Sequence, residues 1–338
     1  MALTEKEVLE QSRSAFRQWC DVWDSHSVRN GETMRKRGIT QKQLSFTGIG
    51  KTLLCIANGP SFERHIETIK KYQDNVDIAC VDKCFPALMD HGIKPNFVFL
   101  ADAGMDYEKY AAKYDQTNIL LICNVTSNPE WGEKWAGPVS FYVNKDNIGT
   151  EIRYGEKSGC KDIIPASSNV GNSVIVFSAQ VFGYDEYLLV GYDYCWFKDS
   201  NYYAFEDSVK RYWMNHLSII DIAGDLASTS QNLLFSARWM TDFYNNVAIR
   251  FGTRMFNCSG RGILSIPQGN LERRLKRAGK RAISEQEKNN ILRSKLEQVV
   301  INSTMPDKQE RLNNALSKLS VTDVIINYIP PEVMAWLN

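Results

Sequence analysis

Four short stretches of this chain carry side chains able to do chemistry. Asn58-Gly59-Pro60-Ser61 closes the apolar run Leu53-Leu54-Cys55-Ile56-Ala57 and leads into an amphipathic segment. Pro60 suits a first helical position, where its missing N–H would have no intrahelical partner. Asn58 and Gly59 let the backbone turn tightly and come close to a ligand. The stretch reads as a strand feeding a helix whose free N–H groups and positive dipole end face an anion, such as a nucleotide phosphate. The competing reading is an ordinary strand–helix turn. Asp82 and Asp102 each close a further apolar run. There a carboxylate can accept hydrogen bonds from a ribose or base, or help hold a divalent metal. Ser167-Ser168-Asn169-Val170-Gly171-Asn172-Ser173 opens an apolar helix. It is a second possible anion site, with Ser168, Asn169, Gly171, Asn172 and Ser173 as its binding residues. That helix leads to Leu188-Leu189-Val190-Gly191-Tyr192-Asp193, which also ends in an acid.

Other residues compete for roles around these four. His216 is a possible general base beyond an aromatic stretch, Tyr192 to Trp213, that reads as a lid. A packed or surface histidine is the alternative. His65 and His91 sit on helical patterns and read as structural. Tyr192, Tyr194, Trp196, Tyr202 and Tyr203 could stack a base or sugar, or simply pack a lid. Arg273, Arg274 and Arg277 belong to a basic run extending to Arg281. Such a run is ordinarily a solvated helix face, and it could instead contact the phosphates of an acceptor.

The elements that must position these residues follow from hydrophobic patterning. Strands are expected at Thr52–Ala57, Asp77–Val81, Phe97–Ala101, Ile119–Asn124, Val139–Val143 and Tyr187–Gly191. Helical patterns separate most of them, at 60–73, 84–91, 105–116, 128–135 and 170–182. The strand runs are nearly continuously apolar, as required when helices cover both faces of a parallel sheet. The fold class is therefore α/β, with a Rossmann-like, mostly parallel sheet. Ligands of such sheets sit beyond the carboxyl ends of the strands, so Asn58, Asp82, Asp102, Asn124 and Asp193 should gather along one edge. A long helix is expected from Asp225 to Val247 and a last strand at Arg254–Ser259. Residues 1–48 read as a helical lead-in, 49–266 as the nucleotide-binding domain and 267–338 as a helical extension.

Composition narrows the function classes. The chain has 338 residues and a formal charge of +1, which argues against a globally basic nucleic-acid binder. Met1 to Glu7 has neither the basic start nor the apolar core of a signal peptide. No apolar run reaches the length of a membrane span. Several of the eight cysteines lie inside apolar runs, which fits a reducing, cytoplasmic setting.

The order and spacing of the motifs resemble the family that unites motility-associated flagellin glycosyltransferases (Maf proteins) with archaeal 6-hydroxymethylpterin pyrophosphokinases. The matches are Asn58 to Ser61, Gly92 to Pro95, Asp102, Gly171 to Ser173 and Val190 to Asp193. Asn257 to Gly262 resembles a late glycine-rich segment. The chain departs from the family pattern at Asn96, where an acid is usual. The N-G-P-S turn is also similar to one that binds the nucleotide of an activated sugar in bacterial sialyltransferases. The resemblance implies a glycosyltransferase moving a sugar from a nucleotide sugar to a hydroxyl of a protein, glycan or hydroxylated DNA base. Alternatives are an ATP-dependent diphosphotransferase with Mg2+ on Asp82, Asp102 or Asp193, and a non-catalytic nucleotide-binding protein. Asp102, Asp193 and His216 are the catalytic candidates, with Asp102 and Asp193 the ligands if a metal takes part. No tightly bound cofactor is expected.

Overall fold

The computed structural model describes residues 5–145, 149–165, 167–198, 200–205, 216–248 and 253–278, together with 284, 286, 287 and 290. The expected lid segment from 206 to 213, residues Lys280 and Arg281, and most of the expected C-terminal helical extension beyond residue 278 lie outside them.

The strands are, in chain order, β1 Gly38–Ile39, β2 Thr52–Ile56, β3 Asp77–Val81, β4 Phe97–Leu100, β5 Leu120–Asn124 and β6 Val139–Lys145. They continue as β7 Ile163–Pro165, β8 Glu186–Val190, β9 Trp196–Phe197, β10 His216–Ile220, β11 Leu226–Ser230 and β12 Arg254–Asn257. The main sheet runs β1-β6-β5-β4-β3-β2-β8-β12, with β7 added on β6. Every pairing in it is parallel. Order therefore reverses at β2: the chain steps outward through β3 to β6, then returns to place β8 on the other side. The fold is the α/β, Rossmann-like arrangement expected.

The apolar runs become strands because both faces of the sheet are covered. Leu53, Leu54, Cys55 and Ile56 of β2 are all buried, as is every residue of β3, β5 and β8. The Val170–Phe177 helix packs across β2, β3 and β4, and from Gly171 to Phe177 it is buried all round. Each large apolar side chain so buried contributes about 1.5–3 kcal/mol. The N-terminal helix, Glu5–Arg37, packs on β6 and on the Pro129–Lys134 and Thr150–Ser158 helices at the far edge. No described helix is long and apolar enough to cross a membrane.

Two sequence expectations need correction. Residues from Leu226 to Ser230 are a strand, and the expected long helix starts only at Gln231, capped by the Ser230 side chain. The Leu-Ala-Ser-Thr-Ser sequence of β11 alternates exposed or half-buried positions with buried ones, which suits a pleated ribbon. With β9 and β10 it makes a small antiparallel sheet, order β10-β11-β9. In the 105–116 stretch only Tyr107–Tyr110 is helical, because Asp106 caps a single turn that ends at Ala111.

Candidate functional site

The reversal of strand order opens a crevice between the carboxyl ends of β2 and β8, where open α/β sheets bind ligands. Pairing of the two strands continues past their ends: the Ala57 N–H donates to Val190 O and the Gly59 N–H to Gly191 O, both at 2.9 Å. The chains touch so closely that a Cβ on Gly191 would lie 2.0 Å from Ala57 O, and one on Gly59 2.4 Å from Gly191 O. Gly191 also has a φ of +73°, so glycine is demanded there twice over.

This contact forms the floor of a cavity of about 230 Å³. Asn58 and Gly59 line one side, with Asp82, Lys83 and Asp102 from the ends of β3 and β4. Asn169, Val170 and Gly171, at the start of the Val170–Phe177 helix, line another. Tyr192, Tyr194, Tyr202 and Tyr203 supply aromatic walls. The Tyr202–Phe205 segment is pinned over the turn: Ala204 N–H donates to Asn58 O at 3.1 Å and Phe205 N–H to Glu63 Oε1 at 2.6 Å. Lys83 Nζ sits 4.1 Å from the centre of the Tyr203 ring.

Most of the amides that the N-G-P-S turn was expected to offer an anion have acceptors within the protein: Gly59 N–H donates to Gly191 O, Phe62 N–H to Gly59 O at 3.0 Å, and Ser61 N–H to Asp193 Oδ2 at 2.7 Å, while Asn58 lines the cavity. Ser61 Oγ donates to the other Asp193 oxygen at 2.5 Å. The anion at this turn is thus the protein's own carboxylate. Asp193 is fully buried, and neither it nor Pro60 or Ser61 lines the cavity. Burial pushes its carboxyl up to about 6 against the pull of the Ser61 hydrogen bonds. Asp193, one of the three catalytic candidates, therefore holds the turn in place.

The second helix start lines the cavity with Asn169, Val170 and Gly171. Asn169 caps it by accepting from Asn172 N–H at 2.8 Å, and Ser173 N–H donates to Asn169 O at 3.1 Å. The amides of Val170 and Gly171 belong to the first turn, which has no intrahelical acceptor for them. Asn172 and Ser173 are buried away from the cavity. The Asn172 side chain donates to Ser236 O at 3.1 Å and accepts from Tyr194 OH at 2.5 Å, while Ser173 Oγ bonds Ser167 Oγ at 2.6 Å. Ser168, at a φ of +66°, donates its hydroxyl to Ser236 at 3.0 Å. These three residues build the helix start, and of the binders expected at this second turn only Asn169 and Gly171 line the cavity, which they share with Asn58, Gly59 and Asp82.

Asp82 and Asp102 do meet there. Asp82 is 2% exposed; its Oδ1 accepts from Lys83 N–H at 2.7 Å, and its Oδ2 is buried with no hydrogen-bond partner among the described residues. Burial, helped by the charge of Asp102, raises its carboxyl to about 7. Asp102 is exposed and accepts from Gly104 N–H at 2.7 Å. Asn124 stays out of the site, its Oδ1 accepting from the Thr126 amide at 2.9 Å and hydroxyl at 2.8 Å. His216 is exposed at the start of β10, opposite Ser230, and does not line the cavity. Arg273, Arg274 and Arg277 lie beside Thr52 and Glu186, at the amino ends of β2 and β8. That is the opposite edge of the sheet, away from any donor bound in the crevice. Lys83 was missed from sequence; the signal was its position directly after a strand-ending acid beside the crevice.

Asn96, the departure from the family pattern, has a structural role: its Oδ1 accepts from Ile78 N–H at 2.8 Å near the amino end of β4.

Comparison with known proteins agrees with this geometry. The family model described as 6-hydroxymethylpterin diphosphokinase MptE-like matches residues 25–199, which includes every cavity-lining residue from Ala57 to Tyr194. A solved structure, the Maf glycosyltransferase from Magnetospirillum magneticum AMB-1, superposes with a TM-score of 0.57 at 17% identity. The match covers 90% of this chain and 50% of that one, so the chain spans half the length of that structure. No curated protein matches the sequence. With a match over more than half its length, and with the turn, strand-end acids and helix start gathered at one switch point, the chain belongs to the 6-hydroxymethylpterin diphosphokinase MptE-like family.

Proposed function

We propose that the protein is a nucleotide-dependent transferase, and that its donor is a nucleotide sugar. The observation that carries this reading is the convergence on one cavity of Lys83, the start of the Val170–Phe177 helix and the two carboxylates Asp82 and Asp102. Cation and helix start suit a phosphate; Tyr202 and Tyr203 suit a base or sugar face. In the transfer, an acceptor hydroxyl gives its proton to Asp102 and forms a bond to the anomeric carbon. The bond from that carbon to the phosphate oxygen breaks, and Lys83 with the Val170 and Gly171 amides balances the charge on the departing phosphate. The acceptor is a hydroxyl of a protein, a glycan or a modified DNA base.

A second reading, transfer of a diphosphate from ATP, is favoured by the Asp82–Asp102 pair. Among the described residues no group of three or more candidate ligands exists. Mg2+ is nevertheless commonly held by one or two carboxylates together with substrate phosphates and water. The orphaned Oδ2 of Asp82 and the exposed Asp102 fit that requirement. When bound, the ion would neutralise phosphate charge, while Lys83 and the helix start orient the nucleotide for attack at phosphorus.

A thermal-shift panel separates the readings. Stabilisation by a nucleoside mono- or diphosphate or its sugar conjugate supports sugar transfer. Stabilisation by ATP with Mg2+ alone overturns it in favour of the diphosphotransferase, and no response to any nucleotide overturns both. Slow donor hydrolysis without acceptor distinguishes an enzyme from a protein that only binds. Lys83→Ala should weaken nucleotide binding about 10–100-fold, the equivalent of a charged hydrogen bond of ~1.5–3 kcal/mol.

A further inference from the structure

At the amino ends of β2, β8 and β12 lies a second and larger cavity, about 570 Å³, with no part in the reading above. Its walls are polar and carry four arginines, Arg254, Arg273, Arg274 and Arg277, against one acid, Glu186. Arg254 opens β12, while the other three come from the Leu271–Arg277 helix, which is docked by a hydrogen bond from the Asn75 side chain to Leu275 O at 3.0 Å.

The arginines differ in what holds them. Glu186, at 9% exposure, accepts from Arg274 Nη1 at 3.3 Å and faces Arg254 Nη2 at 3.5 Å. Arg274 also lies over the Phe256 ring, 3.0 Å from its centre. One carboxylate is thereby shared by two guanidiniums. Arg273 and Arg277 are exposed and have no carboxylate within 4.0 Å among the described residues. They stand four residues apart on one helix, an arrangement in which like charges repel. An anion between them would turn that repulsion into two forked contacts.

We propose that this groove binds a compact polyphosphate: a ligand with two or more linked phosphates, whether free pyrophosphate or the phosphate chain of a nucleotide. The charge excess is concentrated in one hollow of a size usual for small-ligand sites. A nucleic-acid surface would instead need cations strung along a backbone path, joined for a single strand by aromatic side chains for stacking. The site is on the opposite edge of the sheet from the crevice, so its ligand does not contact a nucleotide bound there.

The test is calorimetric titration of the full chain with inorganic pyrophosphate, with ATP and with duplex DNA at equal phosphate. Pyrophosphate should bind the wild type and Lys83→Ala alike, and at least tenfold more weakly to Arg273→Ala/Arg277→Ala. Both arginine side chains are exposed, so the double variant should keep the wild-type melting temperature. With Lys83→Ala weakening the crevice, ATP binding that is tighter than pyrophosphate and is lost on adding Arg273→Ala/Arg277→Ala identifies a nucleotide as the source, and equal binding identifies recognition of the phosphates alone. Absence of pyrophosphate binding, a change of less than tenfold in the double variant, or displacement of pyrophosphate by duplex DNA would each overturn the assignment.

Discussion

Asp193 and Asp82 are acids that follow β8 and β3, the two strands flanking β2 in the same sheet, yet they do different work. Asp193 spends both oxygens on Ser61. Replacing it with Ala leaves a buried N–H without an acceptor, and should lower stability by about 1–3 kcal/mol in urea unfolding. Ser61→Ala keeps the backbone bond and should lose less. Asp82 keeps one oxygen unpartnered and has a carboxyl raised to about 7, chiefly by burial. A carboxyl raised on folding keeps its proton in the native state after the unfolded chain has lost it. Its contribution to stability is therefore full below the unfolded value near 4 and lost as pH rises to about 7. Asp82→Asn cannot ionise, so its melting temperature relative to wild type should climb between pH 4 and 7 and level off above. A difference independent of pH would show that Asp82 is not the titrating group.

Between elements, the critical contact is the meeting of two backbones beyond β2 and β8. Gly191 and Gly92 have the same φ, +73°, and differ in surroundings. A Cβ at Gly92 meets nothing within 4 Å, whereas one at Gly191 meets Ala57 O at 2.0 Å. Gly92→Ala should cost only the left-handed backbone term, about 1–2 kcal/mol. Gly191→Ala adds a clash of about 1–3 kcal/mol or more and should also abolish the nucleotide response. Denaturation midpoints of the two variants separate conformation from packing. Similar losses at both positions would mean that the strand-end contact is looser than described.

Across the whole molecule, the sheet is secured at its far edge by the N-terminal helix. The Asn30 side chain donates to Val125 O and Ser127 O, both at 2.9 Å, and Arg153 pairs with Asp24 at 2.5 Å. Asn30 is fully buried, so Asn30→Ala should destabilise the protein by roughly 1–3 kcal/mol. The crevice lies several strands away, so nucleotide affinity should stay within twofold of wild type at temperatures where the variant is folded. A large loss of affinity would show that the edge and the crevice are coupled. The two charged cavities likewise occupy opposite ends of the strands, which separates the crevice from the arginine groove.

The α/β fold is legible in the chain itself, because runs such as Leu53 to Ile56 are apolar at every position and need cover on both faces. So are the strand ends at Asn58, Asp82 and Asp102, since turn residues and acids directly follow apolar runs. Which donors remain for a ligand is a matter of tertiary contact. Ser61 and Asp193 are 132 residues apart, and no local pattern reveals that one consumes the amide of the other. β10 and β11 pair as a local hairpin and escaped notice for another reason: their exposed faces leave no apolar run to read. The place of the arginines was hidden as well, because a helix shows its charged face in sequence and not the sheet edge on which it docks. The turn that looked like a phosphate cradle is held by the protein's own carboxylate, and what faces the crevice is Asn58, Lys83 and the start of the Val170–Phe177 helix.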